Sequence, residues 1–234
     1  MRIAMWSGPR NLSTAMMYSF AARGDCAVWD EPFYAAYLKI TGLLHPMADQ
    51  IIAAHDNDPM RVGAACSGPI PGGKPHFYMK HMAQHMIDGV PMDWTAGCVH
   101  VHLIRHPARV IASYAAKRED PTLEDIGFAQ QQTLFCQLGG VVIDSHDIRD
   151  NPAAMLQTLC AEIGLNWKPD MLHWPAGGHA DDGVWAGHWY GAVHKSTGFA
   201  GAEGPLPDLS ARHQALCNAA LPAYQAMQAR ALKA

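Results

Sequence analysis

The stretch MRIAMWSGPRNLSTAMMYSF, residues 1–20, decides the reading of the fold. An apolar run at 3–6 leads into the turn Ser7-Gly8-Pro9-Arg10-Asn11, and Ser13 and Thr14 open a helical pattern. Strand, turn and helix in that order have the shape of a phosphate loop. The G-x-x-x-x-G-K-[ST] signature of a nucleoside-triphosphate loop is absent, because the positions after Gly8 read Ser13-Thr14-Ala15 with no lysine. A helix starting near Asn11 still offers unpaired backbone N–H groups and the positive end of its dipole, which suit a phosphate or sulfate. Ser13 and Thr14 add hydroxyl donors, and Arg10 adds a planar cation.

The same grammar repeats along the chain. Short apolar runs at 3–6, 26–29, 77–79, 98–104 and 141–144 read as strands. Helical patterns lie at 11–23, 47–56, 107–118, 123–138 and 150–163. Alternating strands and helices argue for a parallel sheet covered on both faces, with the ligand at its carboxyl edge. The segment 57–75 is rich in Gly and Pro and reads as a loop; 168–208 reads as a second irregular stretch. Residues 209–234 read as a terminal helix broken near Pro222. One domain over 1–234 is expected, since 234 residues suffice for one sizeable α/β core.

Fold class and partners are bounded by composition. The net charge of −4 gives no general basic character, so nucleic acid is not an expected partner. Six cysteines at 26, 66, 98, 136, 160 and 217 form no C-x-x-C and sit mostly in apolar stretches, which reads as buried free thiols in a reducing compartment. Arg2 is followed by no long apolar run, and no stretch of about 18 apolar residues exists. No secretory signal or membrane span is read, and a cytoplasmic location is expected.

A second oxyanion-competent cluster stands in HLIRHPARVIASY, residues 102–114. Strand 98–104 ends there and a helix begins at Pro107. Arg105 lies at the strand end, Arg109 follows, and Ser113 comes eight positions after Arg105. Two anion sites at strand ends suit a ligand with two separated phosphate-like groups.

These two motifs together resemble the sulfotransferases that use PAPS, 3′-phosphoadenosine 5′-phosphosulfate. Pro9-Arg10-Asn11-Leu12-Ser13-Thr14 is similar to the family's P-[KR]-x-x-[ST]-[ST] loop for the 5′-phosphosulfate. Arg105 and Ser113 are similar to the Arg and Ser, eight apart, that hold the 3′-phosphate. HKSTGF, 194–199, resembles a late segment that covers that phosphate, with Lys195 as its cation and Gly198 as its glycine. The stretch 141–165 resembles the family's later strand and helix. Many members carry lysine and glycine in the first loop, where this chain has Arg10 and Leu12. The resemblance implies a three-layer P-loop-type α/β fold with a central, mostly parallel sheet of about five strands. It implies PAPS as co-substrate, no metal, and a small-molecule acceptor.

Sulfonyl transfer needs a base and a cation near the leaving phosphate. Arg10, helped by Lys80, is assigned the cationic role. Glu31, in VWDEPFY at the end of the second strand, resembles the E-P element of carboxylate-using members and is the favoured base, with Asp30 as fallback. His81, in FYMKHMAQHM, loosely resembles the K-x-H element of histidine-using members with the spacing off by one. His81 and His85 have zinc-ligand spacing, but no H-E-x-x-H or third ligand accompanies them. His100 and His102 alternate along a strand and read as packing. The loop 187–195, GHWYGAVHK, reads either as a wall of the acceptor or adenine pocket or as a packed loop. The competing functions are a P-loop kinase, opposed by the missing lysine, and a non-catalytic nucleotide-binding relative.

Overall fold

The computed structural model describes residues 1–116 and 120–234. Five parallel strands form one sheet: β1 (Arg2–Ser7), β2 (Cys26–Asp30), β3 (His76–Met82), β4 (Cys98–Ile104) and β5 (Val141–Asp144), in the order β2-β3-β1-β4-β5. This is the α/β arrangement expected, with the five apolar runs as its strands. β1 is central because its side chains are apolar on both faces. Ile3 and Met5 pack into one core layer, Ala4 and Trp6 into the opposite one.

The first layer is built on α1 (Ser13–Ala22), with α9 (Pro152–Glu162) beside it. The intervening helices are α2 (Tyr34–Thr41), α3 (Ala48–Ala54), α4 (Pro59–Ser67), α5 (Pro107–Ala115), α6 (Leu123–Ile126), α7 (Phe128–Leu138) and α8 (Ser145–Asp150). The chain ends with α10 (Ala186–Trp189) and α11 (Ala211–Gln228). Among the described residues, no helix is long and apolar enough to cross a membrane.

Several elements differ from the sequence reading, which gave no helix at α2 and took 168–208, where α10 lies, as irregular. The segment read as a loop at 57–75 contains α4, since the Asp58 carboxylate caps the N–H groups of Met60 and Arg61 and Pro59 supplies the first helical residue. The helix read at 123–138 is two helices, hinged at Gly127 with φ 69°. The helix read at 150–163 is preceded by α8, and Asn151 caps the restart at Pro152. α11 runs unbroken through Pro222. Pro222 and Asn218, whose carbonyl loses its partner there, both face solvent. The last positions of the expected helix 107–118, 117 and 118, lie outside the described residues. The thiols of Cys26, Cys66, Cys160 and Cys217 are buried as expected, while Cys136 is exposed and Cys98 half-buried.

The chain leaves β1 toward β2 on one side and reaches β4 on the other, so the crevice between β1 and β4 is the topological switch point. The two strands pair through Ser7 and Leu103 and then part. Gln131 holds the gap, donating to the Trp6 carbonyl at 3.1 Å and the Leu103 carbonyl at 2.9 Å. Asn11 also donates to Leu103, at 3.1 Å. Gly8 sits where a Cβ would meet the Ile126 carbonyl at 2.7 Å, so only glycine lets the turn pass under the α6–α7 corner.

Candidate active site

A cleft of about 360 Å³ opens at the carboxyl edge above α1. Its floor is the turn before that helix. Arg10 and Leu12 adopt left-handed backbone conformations, φ 61° and 71°, which non-glycine residues hold at a cost of about 1–3 kcal/mol each. The twist brings Pro9, Arg10, Asn11, Leu12, Ser13 and Thr14 to the cleft wall. Leu12 makes no side-chain cap, so helix geometry leaves the first N–H groups of α1 without intrahelical partners there.

The two sequence motifs meet at one end. Arg10 Nε donates to Ser113 Oγ at 2.9 Å, and Arg105 donates to the Arg10 carbonyl at 2.8 Å. Arg10 also reaches the Trp189 carbonyl at 3.3 Å. Burial, and then the neighbouring Arg105, lower the pKa of Arg10 from its ordinary value. Gly198 lines this end of the cleft, but Lys195 is exposed and is not among the lining residues. Arg149, which sequence reasoning missed, lines it instead. It stands in α8, one turn beyond the carboxyl end of β5, and that position in SHDIRD was the available signal.

The other end is built on the tips of β2 and β3. Lys80 Nζ lies 2.8 Å from Asp30 Oδ1, 2.6 Å from Glu31 Oε1 and 2.6 Å from the Tyr190 hydroxyl. Neighbours on a strand point to opposite faces. Both carboxylates reach one ammonium because Glu31, with φ 42°, turns out of the strand direction. Asp30 is saturated: it also accepts from Tyr190 and from the Gly183 N–H at 3.1 Å. A Cβ at Gly183 would meet the Trp185 ring at 2.2 Å. The Asp30 side chain is 1% exposed, whereas Glu31 keeps 10% and lines the cleft. Burial raises the Glu31 pKa above the ordinary carboxylate value; Lys80 opposes this and Asp30 adds to it. Burial works against the Lys80 charge, yet the two carboxylates outweigh it and raise its pKa. Tyr190, also hydrogen-bonded to Trp185 and Thr14, ties the loop 187–195 to this cluster. Trp189 and Tyr190 are cleft walls.

His81 is elsewhere. It is one residue beyond Lys80 on β3 and so faces the opposite side of the sheet. There it stacks on Trp6 at 4.7 Å, with Trp94 at 4.7 Å and Phe33 at 5.9 Å. Neither ring nitrogen has a hydrogen-bond partner, and burial pushes its pKa down to about 3. The one-residue departure from K-x-H is what moves it out of the cleft. His85 does line the cleft, stacked between Tyr34 and Tyr37 at 4.7 and 4.8 Å. His100 and His102 pack on that same lower layer, His100 accepting from Trp6 Nε1 at 3.2 Å. Among the described residues, no group of three or more His, Cys, Asp or Glu side chains is placed to hold a metal ion.

A parallel sheet covered by helices on both faces thus carries, at its carboxyl edge, a phosphate-type turn and arginines from neighbouring strand ends. The chain belongs to the sulfotransferase domain family, which it matches over residues 1–231. In three dimensions it is similar to the sulfotransferase domain of the curacin biosynthetic pathway, with TM-score 0.51 and 15% identity, covering 93% of this chain and 96% of that one. That likeness concerns the fold. Two Arabidopsis thaliana proteins, branched-chain-amino-acid aminotransferase-like proteins 1 and 2, are each 34% identical over 232 residues, 97% of this chain. The chain spans 41% of the length of each of these relatives.

Proposed function

We propose that the protein transfers the sulfonyl group of PAPS to a hydroxyl or amine of a small acceptor. The observation that carries this reading is the joining of Arg10, Ser113 and Arg105 at one end of a cleft whose other end holds Glu31 on Lys80. Arg105 and Ser113 suit the 3′-phosphate of the donor, and the α1 turn with Arg10, Ser13 and Thr14 suits the 5′-phosphosulfate. The arginines also hold a carboxylate, that of Glu203, so this end of the cleft accepts anionic oxygen.

In the proposed reaction the acceptor oxygen or nitrogen attacks sulfur in line with the bond to the 5′-phosphate. The acceptor proton passes to the Glu31 carboxylate, the S–O bond breaks, and the bonding pair leaves with PAP. Glu31 suits the base because it faces the cleft and its pKa is raised. Arg10, in the turn before α1, takes the cationic role on the leaving phosphate. Lys80, engaged by Asp30, Glu31 and the Tyr190 hydroxyl, holds Glu31 in place and helps through its charge.

Calorimetric titration with PAP and with ATP tests the reading. Micromolar PAP binding that weakens by about 10–100-fold in Arg105→Ala is expected. ATP binding as tight or tighter, and dependent on magnesium, overturns it in favour of a kinase.

A further inference from the structure

Glu203 belongs to none of the motifs above. Its side chain is 1% exposed and sits among three arginines: Arg105 from the β4–α5 turn, Arg109 from α5 and Arg149 from α8. Arg105 Nε donates to Oε1 at 3.0 Å and its NH2 group reaches the same oxygen. Arg149 donates to Oε1 at 3.0 Å. Arg109 Nε lies 2.8 Å from Oε2 as an ion pair outside hydrogen-bond geometry. Burial opposes the Glu203 charge, but Arg105, then Arg109 and Arg149, outweigh it and hold the carboxyl below its ordinary value.

The surrounding segment is tied down through this cluster. Residues 200–208 form no helix or strand. Phe199 on one side packs edge-on to Trp174, and Leu209 on the other packs with α5 and α11. Between them, the hydrogen bonds described run to the arginines: Arg149 to the Gly201 carbonyl at 2.9 Å, Arg109 to the Gly204 carbonyl, and those to Glu203. Ala200 reaches the cleft wall beside Arg105 and Arg149.

A guanidinium grips an oxyanion along an edge of paired N–H groups, of which the Nε–NH2 edge is one. On Arg105 that edge is taken by Glu203, and its third nitrogen by the Arg10 carbonyl. A donor phosphate at this end must compete with Glu203, and it has the means: more negative charge and more acceptor oxygens. We propose that Glu203 is an internal counter-anion that holds the three-arginine subsite in place of the donor's 3′-phosphate and is displaced, with the strap 200–208, when the nucleotide binds. This rests on the donor reading above for the identity of the phosphate, and on the arginine cluster alone for the displacement. The consequence is selectivity: only a nucleotide bearing a phosphate at that end releases the strap.

The test is titration of the full chain and of Glu203→Gln with PAP, with 5′-AMP, which lacks the 3′-phosphate, and with inorganic phosphate. PAP and inorganic phosphate are expected to bind the variant about tenfold more tightly, the scale of one charge-assisted hydrogen bond. The affinity for 5′-AMP is expected to stay within twofold. An equal gain for 5′-AMP, or weaker PAP and phosphate binding, overturns the proposal, because Glu203 then only orders the arginines. If PAP binds neither protein while inorganic phosphate still tightens in the variant, the donor reading falls and the Glu203 displacement stands. Should Glu203→Gln not fold, Glu203→Asp keeps the charge one methylene shorter and carries the same comparison; a smaller gain supports the proposal and none overturns it.

Discussion

Arg10 and Ser113, 103 positions apart, share a 2.9 Å hydrogen bond across the crevice between β1 and β4. Each belongs to a motif that is weak by itself. Their contact brings two strand ends together at one end of the cleft. Removing the Arg105 guanidinium beside them should lower PAP affinity by about 10–100-fold, since charge-assisted hydrogen bonds contribute about 1.5–3 kcal/mol each. Titration of Arg105→Ala and Ser113→Ala checks this, with the serine variant expected to lose less.

Glu31→Gln keeps the shape and removes the basic oxygen. Sulfonyl transfer should fall by about 10²–10⁴-fold, the range of a positioned base. PAP binding should stay within a few-fold, because the carboxylate stands at the other end of the cleft from Arg105. Equal rates in the variant and the parent protein would remove Glu31 from the chemistry.

Lys80→Met should cost about 3–5 kcal/mol of stability, because it leaves Asp30 and Glu31 buried without their cation. The double variant Lys80→Met with Asp30→Asn should be less destabilised than the sum of the two single changes. Denaturant unfolding of the four proteins measures the coupling.

The pH dependence separates the two base candidates. Glu31 has a raised pKa, so the active carboxylate form is lost below a pH above the ordinary glutamate value, and kcat/KM should rise with pH through that window. A raised folded pKa means the native state binds more protons than the unfolded one there, so this group's contribution to stability declines as pH rises across the same interval. His81 behaves oppositely. With its pKa pushed down to about 3, the native state stays neutral while the unfolded imidazole protonates below about 6.5, so stability falls as pH drops from that value.

His81→Phe therefore should flatten the acid-side loss of stability and leave transfer activity within about twofold. The caged imidazole has no hydrogen bond to lose, and a ring of similar size replaces it, at a cost under about 1.5 kcal/mol. Thermal unfolding between pH 4 and 7, read with the activity, tests both halves. A loss of activity comparable to that of Glu31→Gln would return His81 to the site.

Much of the frame was legible locally. All five strands were readable because a parallel sheet buried on both faces demands continuous apolar runs. The Ser7–Asn11 turn and the Arg105–Ser113 pair were readable because their glycine, hydroxyl and guanidinium groups stand at short offsets from a strand end. α4 was hidden by its Gly and Pro content, although Asp58-Pro59 is itself a start signal. The unbroken course through Pro222 was hidden because it depends on which face of α11 meets water.

The sequence by itself determined the strand–turn–helix frame, the family resemblance and most of the candidate oxyanion-binding residues, though not Arg149, since each rests on neighbours along the chain. Only the tertiary structure decided which of them meet. Strand parity sent His81 to the far face while Lys80 stayed with Glu31, and this turns on a single residue of offset. The left-handed turn at Glu31 let two adjacent carboxylates share one ammonium. Glu203, nearly a hundred positions from Arg105, met it through chain folding alone. Such contacts join residues distant in sequence, and no local periodicity records them.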